Sequence, residues 1–211
     1  MTNKKVQEYY DKMAKKITSP KETRNKAPDF SEYDRGLMKK LSGKEKKLLD
    51  LGSGTGLLIN HLYEDFEKIV AVEKYEAFSK FIDERDNIEV RNEDLLEVKP
   101  EESFYDIVSL FGVMNYFNSS EAEKIYKKVY HALKPKGMIV VKNQFGVKED
   151  VIIEGYSKEL QTDYFSHYRQ TDKEIACLKK IGFCKIEKID IYPPKYNRWN
   201  NTHFFALIGY K

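Results

Sequence analysis

From Lys46 onward, short apolar runs alternate with amphipathic segments. Lys46–Leu51 reads as a strand that runs into glycines. Gly56–Asp65 carries helical spacing. Lys68–Val72 is a strand, Glu76–Glu84 a helix, Ile88–Arg91 a short strand and Tyr105–Phe111 a strong one. Ser120–Leu133 is a helix and Lys136–Lys142 a strand. Residues 143–170 are polar and read as irregular. A helix near Asp172–Ile181 follows, then a strand at Cys184–Ile191, a loop rich in Pro and Asn, and a last strand at His203–Tyr210. This alternation predicts a mainly parallel sheet covered on both faces. No helix separates the last two strands, so they are expected to form an antiparallel edge. Ahead of the sheet, residues 1–45 predict two helices, about Lys4–Lys16 and Ser31–Leu41.

A chain of 211 residues, 41% hydrophobic, has the size of one domain and material for a core. Its longest apolar runs, such as Ile107–Leu110 and Ile139–Val141, are strand-sized and far below the roughly 18 residues of a membrane span. The first sixteen residues carry charge without the apolar core of a signal peptide, so a cytoplasmic location is expected. Lys+Arg 37 against Asp+Glu 34 leaves a net charge of +3, which gives no argument for a nucleic-acid partner. The basic runs Lys44–Lys47 and Lys124–Lys128 include apolar or acidic neighbours and read as solvated surface. Cys177 and Cys184 show no zinc spacing and are expected to be buried and reduced. The 15 tyrosines and 12 phenylalanines gather partly outside the strands, as an aromatic-lined pocket would require.

The most specific signal is Asp50-Leu51-Gly52-Ser53-Gly54-Thr55-Gly56, set directly after an apolar strand. Glycines there permit positive φ and let a ligand approach the backbone. A dinucleotide fold wants G-x-G-x-x-G, but the sixth position from Gly52 is Leu57. The spacing is G-x-G-x-G with an acid in front, which resembles motif I of the class I S-adenosylmethionine-dependent methyltransferases. Glu73 ends the second strand, where a carboxylate can accept from two ribose hydroxyls. Asp94 follows the third strand, where this family accepts from the adenine amino group. Phe104–Tyr116 resembles the family's fourth strand and Leu133–Met138 the turn before its fifth. The resemblance spans about residues 45–211.

The resemblance implies an α/β, Rossmann-like seven-stranded mainly parallel sheet, its last strand antiparallel, with helices on both faces. It implies a single domain divided into an N-terminal helical lid (1–45), a cofactor-binding core (46–142), an acceptor-side insertion after strand five (143–170) and a C-terminal helix and strand pair (171–211). S-adenosyl-L-methionine is the implied cofactor, held by Asp50, Gly52, Ser53, Gly54, Gly56, Glu73, Lys74, Asp94, Leu95 and Phe111. A weaker likeness, to the lid of sugar N-methyltransferases, lies in Tyr9-Tyr10-Asp11 and Asp29-Phe30-Ser31-Glu32-Tyr33, and adds Tyr10 and Tyr33. Acceptor contacts are expected from Asn115, Tyr116, Asn143, Gln144, Tyr164, Arg169, Trp199 and Asn200, with Arg169 suited to a phosphate or carboxylate.

Methyl transfer is an in-line displacement that mainly needs alignment and exclusion of water. A hydroxyl acceptor would need a general base, for which His167 and His203 are the candidates; His61 and His131 read as surface residues. The Asp and Asp-Asn ligands of cation-dependent O-methyltransferases are replaced by Phe111-Gly112 and Asn143-Gln144, so no metal is expected. Tyr192-Pro193-Pro194-Lys195-Tyr196 is similar to the Pro-Pro-aromatic motif of nucleic-acid amino-methyltransferases, but it follows the wrong strand; it reads as a rigid loop bordering the acceptor. The leading reading is methylation of an amine or hydroxyl on a small-molecule acceptor, such as a nucleotide-linked sugar or surface-polysaccharide precursor. RNA or protein methylation is a second reading, and a non-catalytic S-adenosylmethionine-binding partner a third. The acceptor atom and the oligomeric state stay open.

Overall fold

The computed structural model describes residues 4–24, 31–158, 160–197 and 199–211. Seven strands form one sheet: β1 (Gly43–Leu51), β2 (Phe66–Val72), β3 (Ile88–Arg91), β4 (Tyr105–Phe111), β5 (Leu133–Gly146), β8 (Cys184–Asp190) and β9 (Thr202–Tyr210). Their order is β3-β2-β1-β4-β5-β9-β8. β1 to β5 pair in parallel, and β9 runs antiparallel to both β5 and β8. The expected antiparallel edge and the lone reversed strand are therefore present. The order switches direction between β1 and β4, and such a switch opens a crevice at the carboxyl ends of the strands.

Strand alternation sorts the apolar residues into two layers. Leu49, Leu51, Val70, Val72, Val108, Leu110, Ile139 and Val141 meet α4 (Ser119–Ala132) and α5 (Thr171–Ile181). Leu48, Ile69, Ala71, Ile107, Val140 and Ile208 meet Met38 of α2 (Ser31–Leu41) and the chain around Ile59 and Leu62. α4 starts on a full capping box: Asn118 accepts from the Glu121 N–H at 3.0 Å, and Glu121 accepts from the Asn118 N–H at 3.0 Å.

Three stretches depart from the sequence reading. Gly56–Asp65 is two short 3-10 turns, Ile59–His61 and Tyr63–Asp65, in place of a helix. Ile59 and Leu62 are both fully buried, and a three-residue turn places side chains at i and i+3 above one another. The helix predicted over Glu76–Glu84 is the single turn α3 (Glu76–Ser79). The stretch 143–170 is ordered as strand: β5 continues to Gly146, and β6 (Val151–Ser157) and β7 (Thr162–Tyr168) form an antiparallel hairpin. Gly155 faces Tyr164 across it, and the ring occupies the space a side chain would take, 2.6 Å from an added Cβ.

The N-terminal helix α1 (Lys4–Lys16) is amphipathic and lies on this hairpin. Tyr9, Met13 and Ile17 pack with Phe78 of α3 and Leu160, and Tyr164 adds to the cluster. Lys12 Nζ donates to the Gln161 carbonyl at 2.6 Å, and Lys5 Nζ reaches Glu154 at 3.2 Å. Cys184 is exposed, against expectation, because β8 is the sheet's outer strand; Cys177 is half-buried. No helix among the described residues is long and apolar enough to cross a membrane.

Candidate active site

A cavity of about 380 Å³ opens at the carboxyl ends of β1, β2, β4 and β5, beneath α1 and α2. Its volume suits a small ligand. The glycine loop forms its floor. The Gly52 and Ser53 N–H groups donate to the Val72 carbonyl at 2.8 and 3.0 Å, which turns the chain sharply out of β1. Gly52 sits at φ +80°, and a Cβ there would meet Val113 at 2.8 Å. Gly54, at φ +56°, has nothing within 4 Å of the place a Cβ would take; the loop leaves its open side to the cavity.

Three carboxylates surround this loop. Asp50 is buried and accepts from the Ser109 hydroxyl at 2.6 Å; burial pushes its pKa up, and the Ser109 and Ser53 hydrogen bonds and Lys142 partly offset that. Glu73 accepts from the Gly54 N–H at 2.9 Å through one oxygen and from the Tyr75 N–H at 3.0 Å through the other. Its pKa is also raised by burial, against those backbone donors. A carboxylate offers about four lone-pair sites, so both Glu73 oxygens keep capacity for further donors. Asp94 accepts from the Leu96 N–H at 2.9 Å and holds the Lys74 ammonium at 3.0 Å. Lys74, Leu95 and Phe111 also line the cavity, as does Ser53. Gly56 packs beneath the loop, where a Cβ would strike Asn60 and Ile82.

The N-terminal segment reaches this end through aromatic contacts. The Tyr10 hydroxyl donates to Tyr116 at 2.5 Å, the two rings meeting edge to face, and burial with Tyr116 beside it raises the Tyr10 pKa well above the ordinary range. Tyr75 donates to Asp11 at 2.8 Å, and the Thr55 hydroxyl donates to the Pro20 carbonyl at 2.7 Å. Of the other lid residues singled out, Asp29 and Phe30 lie outside the described residues. Tyr33 is 41% exposed and contributes no wall; its ring touches Tyr192 at 5.7 Å.

At the other end, Asn115, Tyr116, Asn143 and Gln144 line the cavity as expected. Asn115 donates to Ser166 at 3.2 Å, and Gln144 donates to Thr202 at 2.7 Å. The remaining acceptor-side expectations need correction. Arg169 is buried and grips Glu174 with two bonds, of 2.6 and 2.7 Å, while Nη1 donates to the Met114 and Phe117 carbonyls at 3.0 and 2.7 Å. Its donors are committed to protein groups, and it braces the turn Met114–Tyr116 from behind. Tyr164 is drawn into the cluster under α1. Trp199 and Asn200 are exposed outside the cavity.

Neither histidine is placed as a base. Tyr168 lines the cavity, and alternation along β7 turns His167 to the opposite face, where it pairs with Asp150 at 3.3 Å. His203 likewise faces away from its neighbour Phe204; it pairs with Asp190 at 2.7 Å beside a separate shallow hollow. The sequence reading missed Asp34, Lys142 and Phe204 on the cavity wall. A signal for the first two existed. Asp34 falls on the buried stripe of α2 with Ser31 and Met38, and Lys142 lies on β5 in phase with buried Val140. No group of three or more His, Cys, Asp or Glu among the described residues could hold a metal ion.

Residues 48–137 match a family model described as a methyltransferase domain. No curated protein matches the chain in sequence. Solved structures do match in fold. An S-adenosylmethionine-dependent methyltransferase from Leishmania major aligns at a TM-score of 0.73 and 14% identity, over 97% of this chain and 83% of that one. The 1,6-didemethyltoxoflavin-N1-methyltransferase of Burkholderia thailandensis aligns at 0.70 and 14%, over 97% and 89%. An S-adenosylmethionine-dependent methyltransferase from Mesorhizobium loti aligns at 0.65 and 13%, over 85% and 98%. At such identities the likeness is one of fold. The glycine turn, its three carboxylates and the switch in strand order all fall in or beside the matched segment: residues 48–137 match a methyltransferase domain, and the chain around them completes a fold shared with those S-adenosylmethionine-dependent enzymes.

Proposed function

We propose that the chain methylates an amine or hydroxyl of a small-molecule acceptor. The observation that carries this reading is the shape of the cavity. At about 380 Å³, roofed by α1 and α2 and walled by the hairpin, it has room for a cofactor and a small partner rather than a polymer strand. The toxoflavin-precursor enzyme above, and a phosphoethanolamine N-methyltransferase from Haemonchus contortus with TM-score 0.64, are named for small acceptors, which supports the same class here.

The residues present fit an adenosyl group. Gly54 leaves its open side free, the Glu73 oxygens keep lone pairs for a pair of hydroxyls, and Asp94 has capacity for an amino group. Asp50, Gly52, Ser53, Gly54, Glu73, Lys74, Asp94, Leu95 and Phe111 would hold it, with Tyr10 from the lid. When bound, S-adenosylmethionine supplies a methyl group on a positively charged, already activated sulfur. The protein's part is to orient the acceptor with Asn115, Tyr116, Asn143 and Gln144 and to keep water out with Tyr10, Tyr116 and Tyr192.

In this reading residues 1–45 serve as the lid, 46–142 as the cofactor core, 143–170 as the acceptor-side wall and 171–211 as the closing helix and strand pair. The narrower acceptor, a nucleotide-linked sugar, is compatible if its phosphates project from the mouth, because Lys142 and Lys74 inside are already paired. The two free cysteines, one of them exposed, suit a reducing compartment such as the cytoplasm. The test is calorimetry with S-adenosylmethionine and S-adenosylhomocysteine, followed by acceptor panels scored for S-adenosylhomocysteine release. Release with small acceptors and none with RNA or protein is expected; release only with a macromolecule would overturn the proposal.

A further inference from the structure

The cavity holds a charged pair, Asp34 and Lys142, that the cofactor reading does not use. Lys142, on β5, places its ammonium 3.1 Å from Asp34 of α2. That ammonium also lies 5.2 Å from the Phe111 ring centroid and 5.5 Å from that of Tyr192, within cation–π range of both. The Tyr192 hydroxyl donates to the other Asp34 oxygen. Asp34 is 4% exposed, yet it lines the cavity. Next to Lys142 in sequence, Asn143 is 2% exposed and also lines the cavity; its amide has no hydrogen-bond partner among the described residues. That amide is open to the cavity, where it can donate to and accept from a ligand.

We propose that this corner is a subsite for a cationic nitrogen, and therefore that the acceptor is an amine. The argument rests on the small-molecule methyltransferase reading and narrows it. A carboxylate flanked by two aromatic faces is the chemistry that recognises an alkylammonium. Lys142 is a resident example of that ligand, held on a flexible four-carbon stem that can turn aside. The wider charge balance agrees: among the described lining residues, Asp34, Asp50, Glu73 and Asp94 face only Lys74 and Lys142. An anionic acceptor head would meet that excess unfavourably. The bound ammonium first loses a proton to water at the cavity mouth; the neutral amine then forms an N–C bond as the donor's C–S bond breaks, and that electron pair stays on sulfur. The positive charge thereby passes to nitrogen, where Asp34 and the two rings stabilise it. Asn143 would fix the rest of the acceptor by hydrogen bonding.

The decisive variant is Lys142→Met, which removes the resident cation and leaves the buried Asp34 with its Tyr192 hydrogen bond but no counter-charge. Its melting temperature should fall in sodium chloride and recover in tetramethylammonium chloride of equal ionic strength, because a ligand that binds the folded state stabilises it. Ligand-observed NMR should show tetramethylammonium binding to Lys142→Met roughly tenfold or more tighter than to wild type. The double variant Asp34→Asn/Lys142→Met should lose that gain. Lys142→Gln serves in the same way should the methionine variant not fold. The inference is overturned if the gain is absent, if the double variant keeps it, or if wild type binds inorganic phosphate in a manner that Lys142→Met abolishes, which would mark an anion subsite. Calorimetry of wild type with S-adenosylhomocysteine separates the two levels. No association there would sink the cofactor reading itself, whereas association without the cation effects removes only the amine assignment.

Discussion

Arg169→Met is the perturbation whose cost the structure defines most closely. The guanidinium and Glu174 are 5% and 2% exposed and share two short hydrogen bonds, and Tyr126 donates to the same carboxylate. Methionine fills similar space but strands the Glu174 charge and frees the Met114 and Phe117 carbonyls. Breaking a buried pair by removing one partner costs about 3–5 kcal/mol, against a typical total of about 5–15 kcal/mol for a whole domain. For a chain of this length each kcal/mol shifts the melting point by roughly 2–4 °C, so a fall of about 6–20 °C is expected in scanning calorimetry, with a matching drop in the urea midpoint at unchanged slope. Removing both charges, Arg169→Met with Glu174→Leu, should recover much of the loss, because the penalty lies in the orphaned carboxylate. The same variant loosens the turn that carries Asn115 and Tyr116, so the acceptor KM should rise more than the cofactor's dissociation constant. A single variant within about 1 kcal/mol of wild type, or a double variant no more stable than the single, would refute the reasoning.

Glu73→Gln replaces the charged acceptor of the Gly54 and Tyr75 N–H groups, and calorimetry should show S-adenosylhomocysteine affinity falling roughly tenfold or more. His167→Ala and His203→Ala should leave turnover near that of wild type, since both rings face away from the cavity; a hundredfold loss in either would restore the base assignment. Glu101 bonds Arg91 and Tyr105, and the Arg91 guanidinium holds its pKa down to about 2 from 4.5. A depressed carboxylate stabilises the fold above its unfolded pKa and loses that contribution as pH falls through the folded one. The stability gap between wild type and Glu101→Gln should therefore be present at pH 7 and close between about 4.5 and about 2; it should be small, because the pair is partly exposed. A gap that widened on acidification would contradict the sign.

The cofactor end of the molecule was legible because its chemistry is local. Asp50 to Gly56 is one uninterrupted turn, and Glu73 and Asp94 each end a strand that apolar runs had already marked. The acceptor end joins residues from α2, β5, β9 and the loop at Tyr192, which only the folded sheet brings together. Choosing His167 and His203 by residue type placed neither on the cavity, because a period of two decides which face a strand residue serves; for His167 the period was not visible, since residues 143–170 had not been read as strand. Asn143 and Gln144 survived because β5 simply continues through them. Arg169 shows the opposite hazard. A lone arginine beside a binding segment suggests an anion, but Glu174, five residues on across a helix start, already satisfies it.

The seating of α1 on the β6–β7 hairpin has a practical consequence for engineering. Segments more than a hundred residues apart, clasped by Lys5, Lys12 and the Tyr9–Leu160 cluster, make up a single packed unit. Anyone grafting a new specificity from a related enzyme would have to transplant both halves together, since either alone would arrive without the surface it packs against.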